Sequence, residues 1–110
     1  MSAAACLVFY GLRFEISSGD IEALETRSDP CLVAARRAGL KTYWANFGAP
    51  AERYLLFVGA LIGDMGIEGR SDVQMSAVEL QSVMEAVHTK LLQAKLNGTP
   101  SLHIQWQADV

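Results

Sequence analysis

The stretch ERYLLFVGALIG, Glu52–Gly63, decides how this chain folds. Its side chains alternate between two sets, and both are apolar: Tyr54, Leu56, Val58, Ala60 and Ile62 on one, Leu55, Phe57 and Leu61 on the other. A strand that is apolar on both faces is a central strand with something covering each side. The remaining elements can be placed around it.

Immediately upstream, Lys41–Phe47 is rich in β-forming residues, and Gly48-Ala49-Pro50-Ala51 reads as the hairpin connection. Further upstream, Cys6–Ile16 alternates with period two. Val8, Tyr10, Leu12, Phe14 and Ile16 make one continuous apolar face, while Leu7, Phe9, Gly11, Arg13 and Glu15 make a face that turns from apolar to charged. Two helical pieces separate these strands. Ser17-Ser18-Gly19-Asp20 is a helix start, with Ile21 and Leu24 as a short buried stripe. Asp29-Pro30 opens the second piece, since Asp caps well and Pro suits a first turn. Arg36 and Arg37 suit its last turn and Gly39 ends it.

Downstream, Gly63–Met75 is a long connection whose Val73 and Met75 alternate with polar residues, the pattern of an extra short strand near 72–75. Ser76-Ala77-Val78-Glu79 is a capping box. It opens a helix whose buried stripe is Leu80, Val83, Met84, Val87, Leu91 and Ala94, with Gly98 as the expected left-handed cap. The last strand is read as half-buried: Leu102, Ile104 and Trp106 inside, His103, Gln105 and Gln107 on the other face.

The order strand, helix, strand, strand, helix, strand predicts one α+β domain over residues 1–110. The expected architecture is a two-layer sandwich, the ferredoxin-like βαββαβ arrangement. Its four-stranded antiparallel sheet runs in the order 4-1-3-2, with the helices on one face.

Composition narrows the function classes. With 51% hydrophobic and 19% charged residues among 110, the chain is globular and long enough for one core. A net charge of −3 gives no electrostatic footprint for nucleic acid or an anionic membrane. The apolar run Tyr54–Gly63 is too short to span a bilayer. Nothing resembling a leader precedes Ala3-Ala4-Ala5-Cys6, so a cytoplasmic location is expected. Cys6 and Cys31 lack zinc or dithiol spacing and are read as free thiols. No metal or other cofactor is expected.

The face left open by the helices carries the candidate chemistry. Topology brings Arg13, Glu15, Arg53 and His103 to one end of it, a pocket for a small organic anion. Leu7, Phe9, Leu55, Phe57 and Leu61 occupy the remainder, a patch large enough to predict a homodimer. Phe9 and Phe57 also suggest base stacking, but the basic consensus of RNA-binding strands is missing around them. His88 has no second ligand at helical spacing for a metal. The sequence therefore favours a non-enzymatic dimeric interaction or small-ligand-binding module. The alternatives are a small enzyme using His103 and Glu15, and an inhibitor- or antidote-type module for a protein partner.

Overall fold

A computed structural model describes residues 5–48, 51–66 and 71–107. Its strands are β1 (Ala5–Ile16), β2 (Lys41–Asn46), β3 (Tyr54–Gly66) and β4 (Ser101–Gln107). Its helices are α1 (Ile21–Glu25), entered through a 3-10 turn at Ser18–Asp20, α2 (Pro30–Arg37) and α3 (Ala77–Ala94). All neighbouring strands are antiparallel and the order is β2-β3-β1-β4, which read from the β4 edge is 4-1-3-2.

Local chemistry explains the helix boundaries. Asp29 Oδ1 accepts hydrogen bonds from the Cys31 and Leu32 amides at 2.9 and 3.1 Å, which starts α2. The Ser76 hydroxyl accepts from the Glu79 amide at 3.2 Å and donates to Glu79 Oε1 at 3.0 Å. α3 stops earlier than Gly98. Lys95 takes the left-handed conformation (φ 57°), and Leu96 N–H returns to Leu91 O at 3.1 Å. This 6→1 closure lets Leu96 pack back into the core, so the cap falls on a lysine and Gly98 instead lies against Leu12.

All the helices lie on one face. Tyr10, Leu12, Leu56 and Val58 from the two central strands pack there with Leu24, Leu32, Ala35, Leu40, Val87 and Leu91. The segment 72–75 is not a strand. Val73 seats on Gly63, where an added Cβ would come within 2.8 Å of Val73 Cγ2. The segment therefore crosses the face of the sheet, where no edge offers ladder hydrogen bonds.

The last strand also departs from expectation. Leu102, Ile104 and Trp106 are 50%, 66% and 58% exposed, while His103, Gln105 and Gln107 on the other face are half-buried. α2 and α3 lie over β1, β2 and β3, so the helix layer stops short of the β4 edge.

The face away from the helices is not open. It is concave and holds a second core of Leu7, Phe9, Phe47, Leu55 and Phe57. Its curvature has two sources. Gly11 and Gly59 are cross-strand partners, and a Cβ on either would collide with a carbonyl oxygen across the ladder and approach the other's Cα to 2.8 Å. Only glycine allows β1 and β3 to close on each other in this way. A bulge follows where Phe9 pairs with Leu61 but Val8 pairs with Gly63, adding bend and twist.

Candidate functional site

Period-two alternation places Lys41, Tyr43 and Ala45 of β2 on the concave face, opposite Gly59, Phe57 and Leu55. β4 contributes His103 and Gln105, opposite Phe9 and Leu7, followed by Gln107. β2 and β4 are the two edges, about three strand spacings or ~14 Å apart on a flat sheet. Yet the Tyr43 hydroxyl donates to Gln107 Oε1 at 3.1 Å. The two edge strands therefore reach each other through side chains across the concave face.

Beneath this clasp is a cavity of about 170 Å³ lined by Leu7, Phe9, Lys41, Thr42, Tyr43, Leu61, Asp64 and Gln107. Leu7, Phe9 and Leu61 form an apolar floor. Lys41 and Asp64 supply one charge of each sign, and among the described residues neither is in an ion pair. Tyr43 and Gln107 add a hydroxyl and an amide. The volume suits a molecule of only a few heavy atoms, given ~30 Å³ for each liquid water.

At the other end of the face, Arg13, Glu15, Arg53 and His103 share one side of the sheet, as the register predicts. They do not enclose a pocket with free cations. Arg53 Nη2 donates to Glu15 Oε2 at 2.7 Å, and Arg53 Nε to Glu15 Oε1 at 3.4 Å. The Arg53 hydrogen bond holds the Glu15 carboxyl below its usual value. Arg13 Nη1 donates to Gln105 Oε1 at 2.9 Å. Because Gln105 is the cross-strand partner of Leu7, the Arg13 side chain must run back along the concave face to reach it.

His103 Nε2–H donates to the Gly11 carbonyl at 3.2 Å, which fixes the neutral tautomer with Nδ1 unprotonated. Its ring packs edge-on against Phe57 with centroids 5.8 Å apart. Burial pushes the imidazole below its usual pKa, Arg13 acts in the same direction, and the Gly11 hydrogen bond opposes both. These groups roof the second core rather than line a cavity.

That roof corrects the expected dimer patch. Phe9, Leu55 and Phe57 are 0% exposed and Leu7 is also buried, all within the single chain, so only Leu61 remains available. Phe57 is the hub, with ring centroids 5.4 Å from Phe9 and 5.5 Å from Phe47. Phe47 and the cavity residues Lys41, Tyr43 and Asp64 were missed in the sequence, and Gln107 was placed on this face without a role. The available signal was phase: 41, 43, 45 and 47 fall on the same face as Phe57.

Other candidates are structural. The Tyr10 hydroxyl and His88 Nε2 are hydrogen-bonded at 2.6 Å, tying α3 to β1. Cys6 and Cys31 are free, and burial followed by Asp29 raises the Cys31 thiol pKa. No group of three metal-ligating side chains occurs among the described residues. No helix among them is long and apolar enough to cross a membrane. Comparison with known family models, curated proteins and solved structures gives no match.

Proposed function

We propose that this chain is a non-enzymatic, small-ligand-binding module of ferredoxin-like build, and that its ligand is a small zwitterion held in the concave cavity. The observation that carries this reading is the pair of opposite charges, Lys41 and Asp64, around one apolar-floored cavity without an ion pair between them. A ligand carboxylate would meet the Lys41 ammonium, and a ligand ammonium would meet Asp64. Its carbon skeleton would rest on Leu7, Phe9 and Leu61. The small organic anion expected from the sequence is less well served, because Arg53 is engaged by Glu15 and Arg13 by Gln105. The reading is non-enzymatic because His103, the histidine of this face, has its Nε2–H engaged by the Gly11 carbonyl and lies outside the cavity lining.

The test is a thermal-shift panel of small amino acids, their amine-only analogues and their carboxylate-only analogues. Zwitterions should raise the midpoint more than either analogue series. Lys41→Ala should abolish the preference for a carboxylate, and Asp64→Asn the preference for an amine. A panel in which no zwitterion shifts the wild type, or in which both variants respond like the wild type, sinks the proposal.

A further inference from the structure

We infer that β4 is a dimerisation edge, through which two copies of this chain pair antiparallel about a two-fold axis at Ile104 and join their sheets into one of eight strands. The inference is independent of the ligand and rests on three properties of β4.

The first is its outer edge, with which no strand pairs among the described residues. Natural proteins blunt exposed edge strands with charges, prolines or bulges. The seven residues Ser101–Gln107 contain no Lys, Arg, Asp, Glu or Pro, and their pairing with β1 runs without a register break. The opposite edge, β2, begins at Lys41.

The second is the apolar row. Leu102, Ile104 and Trp106 stand on the helix side of the sheet, beyond the reach of the helices, and each is at least half exposed. Leu92 of α3, also exposed, lies one turn beyond His88. His88 is bonded to Tyr10, the cross-strand partner of Leu102.

The third is self-complementarity, which selects a second copy as the occupant. Centring an antiparallel pairing on Ile104 sets Leu102 opposite the partner's Trp106 and Ile104 opposite the partner's Ile104. His103 then faces the partner's Gln105, and Ser101 the partner's Gln107. Apolar residues meet apolar residues on the helix side, and neutral polar residues meet on the concave side. The two-fold brings no like charges together, since the strand has none. The three side chains present roughly 300 Å² per protomer. With the strand backbones, the pair would bury on the order of 1,000 Å² in total, the lower end of specific interfaces. The dimer should therefore dissociate on dilution.

Sedimentation velocity across a wide concentration range should show a reversible monomer–dimer equilibrium in the wild type. Ile104→Lys places like charges opposite each other on the axis and should leave only monomer, while Val78→Lys, at an exposed site on α3, should match the wild type. Circular dichroism checks that both variants are folded. A geometric test avoids charge altogether. In a Cys6→Ser, Cys31→Ser background, Ile104→Cys should oxidise to a covalent dimer, because opposed residues of antiparallel strands have Cα atoms about 4.5–5.5 Å apart, within disulfide range. Ser101→Cys, far from its own copy in this register, should not. A wild type that is monomeric at several hundred micromolar overturns the inference. So does an Ile104→Lys variant that still dimerises, or cross-linking at position 101 in preference to 104.

Discussion

On the helix side of the sheet, Tyr10, Leu12, Leu56 and Val58 are buried under α2 and α3, elements whose backbones are hydrogen-bonded internally. On the concave side, Phe9, Leu55 and Phe57 are buried as completely, but the cover among the described residues is one of side chains: the Arg13–Gln105 and Tyr43–Gln107 clasps, Phe47 and His103. A helical roof moves as a unit and opens only with much of the fold. A roof of single hydrogen bonds at partly exposed groups opens locally and at low free energy. The concave core thus has the burial of an interior and the accessibility of a surface, the combination a ligand cavity requires.

The largest test of this contrast lies at the curl itself. Gly59→Val should destabilise the protein by more than about 3 kcal/mol, a large share of any small domain's stability. The new side chain would be driven into the Tyr10 carbonyl. Urea denaturation measures the loss, and a nearly neutral substitution would mean that the concavity does not depend on the Gly11–Gly59 contact.

Next come two neighbours on β3 that face opposite ways. Leu56→Ala on the helix side should lose about 2–5 kcal/mol, and Phe57→Ala on the concave side about 3–5 kcal/mol. Comparable losses would establish the concave cluster as a true core. A loss below about 1 kcal/mol at Phe57 would reduce it to a covered surface. Hydrogen exchange sharpens the comparison, since concave-side clasps should add local opening of β4 that global unfolding does not account for.

A smaller effect follows from His103. Because burial favours its neutral form in the folded chain, the unfolded chain binds more protons between the usual pKa near 6.5 and the lowered native value. The stability tied to this group is fully present above the usual value and is lost as pH falls through that window. NMR titration should place the His103 midpoint below the ordinary histidine value, and His103→Gln should flatten the stability profile there. A midpoint at or above the ordinary value would contradict the buried, neutral ring.

The smallest effect belongs to Arg53 and Glu15, both exposed. Glu15 is held below its usual pKa, so its contribution is present above about 4.5 and fades as pH falls through the lowered native value. Glu15→Gln should leave the denaturation midpoint almost unchanged and remove most of any salt dependence. A large loss would make this pair part of the roof rather than an ion pair at its margin.

What the sequence disclosed divides along the same line. The caps of α2 and α3 and the two-faced β3 were legible because each depends on neighbours in the chain: Asp29 before Pro30, Ser76 before Glu79, and alternating apolar residues. The curl was not, because Gly11 matters only through Gly59, and nothing local announces that pairing. Alternation also showed that β4 has two unlike faces, but not which one the helices would cover. The apolar row of Leu102, Ile104 and Trp106 was therefore placed inside, where hydrophobicity alone would put it. In the candidate site, Arg13, Arg53 and His103 do lie on one face, which alternation alone conveys. Their mutual engagement with Glu15, Gln105 and Gly11 O depends on a curvature that a flat alternation pattern does not contain.

The pairing of Ala5 with Gln107 has a mechanical consequence. The first and last described strands lie side by side and antiparallel. Force applied at these two positions would therefore load the β1–β4 ladder in the peeling direction, separating one pair of residues at a time. A domain loaded in this way yields to a weak pull whatever its resistance to heat or urea, because no step requires many hydrogen bonds to break together. The same adjacency makes the two positions easy to join: a linker of a few residues would span them without disturbing either face of the sheet.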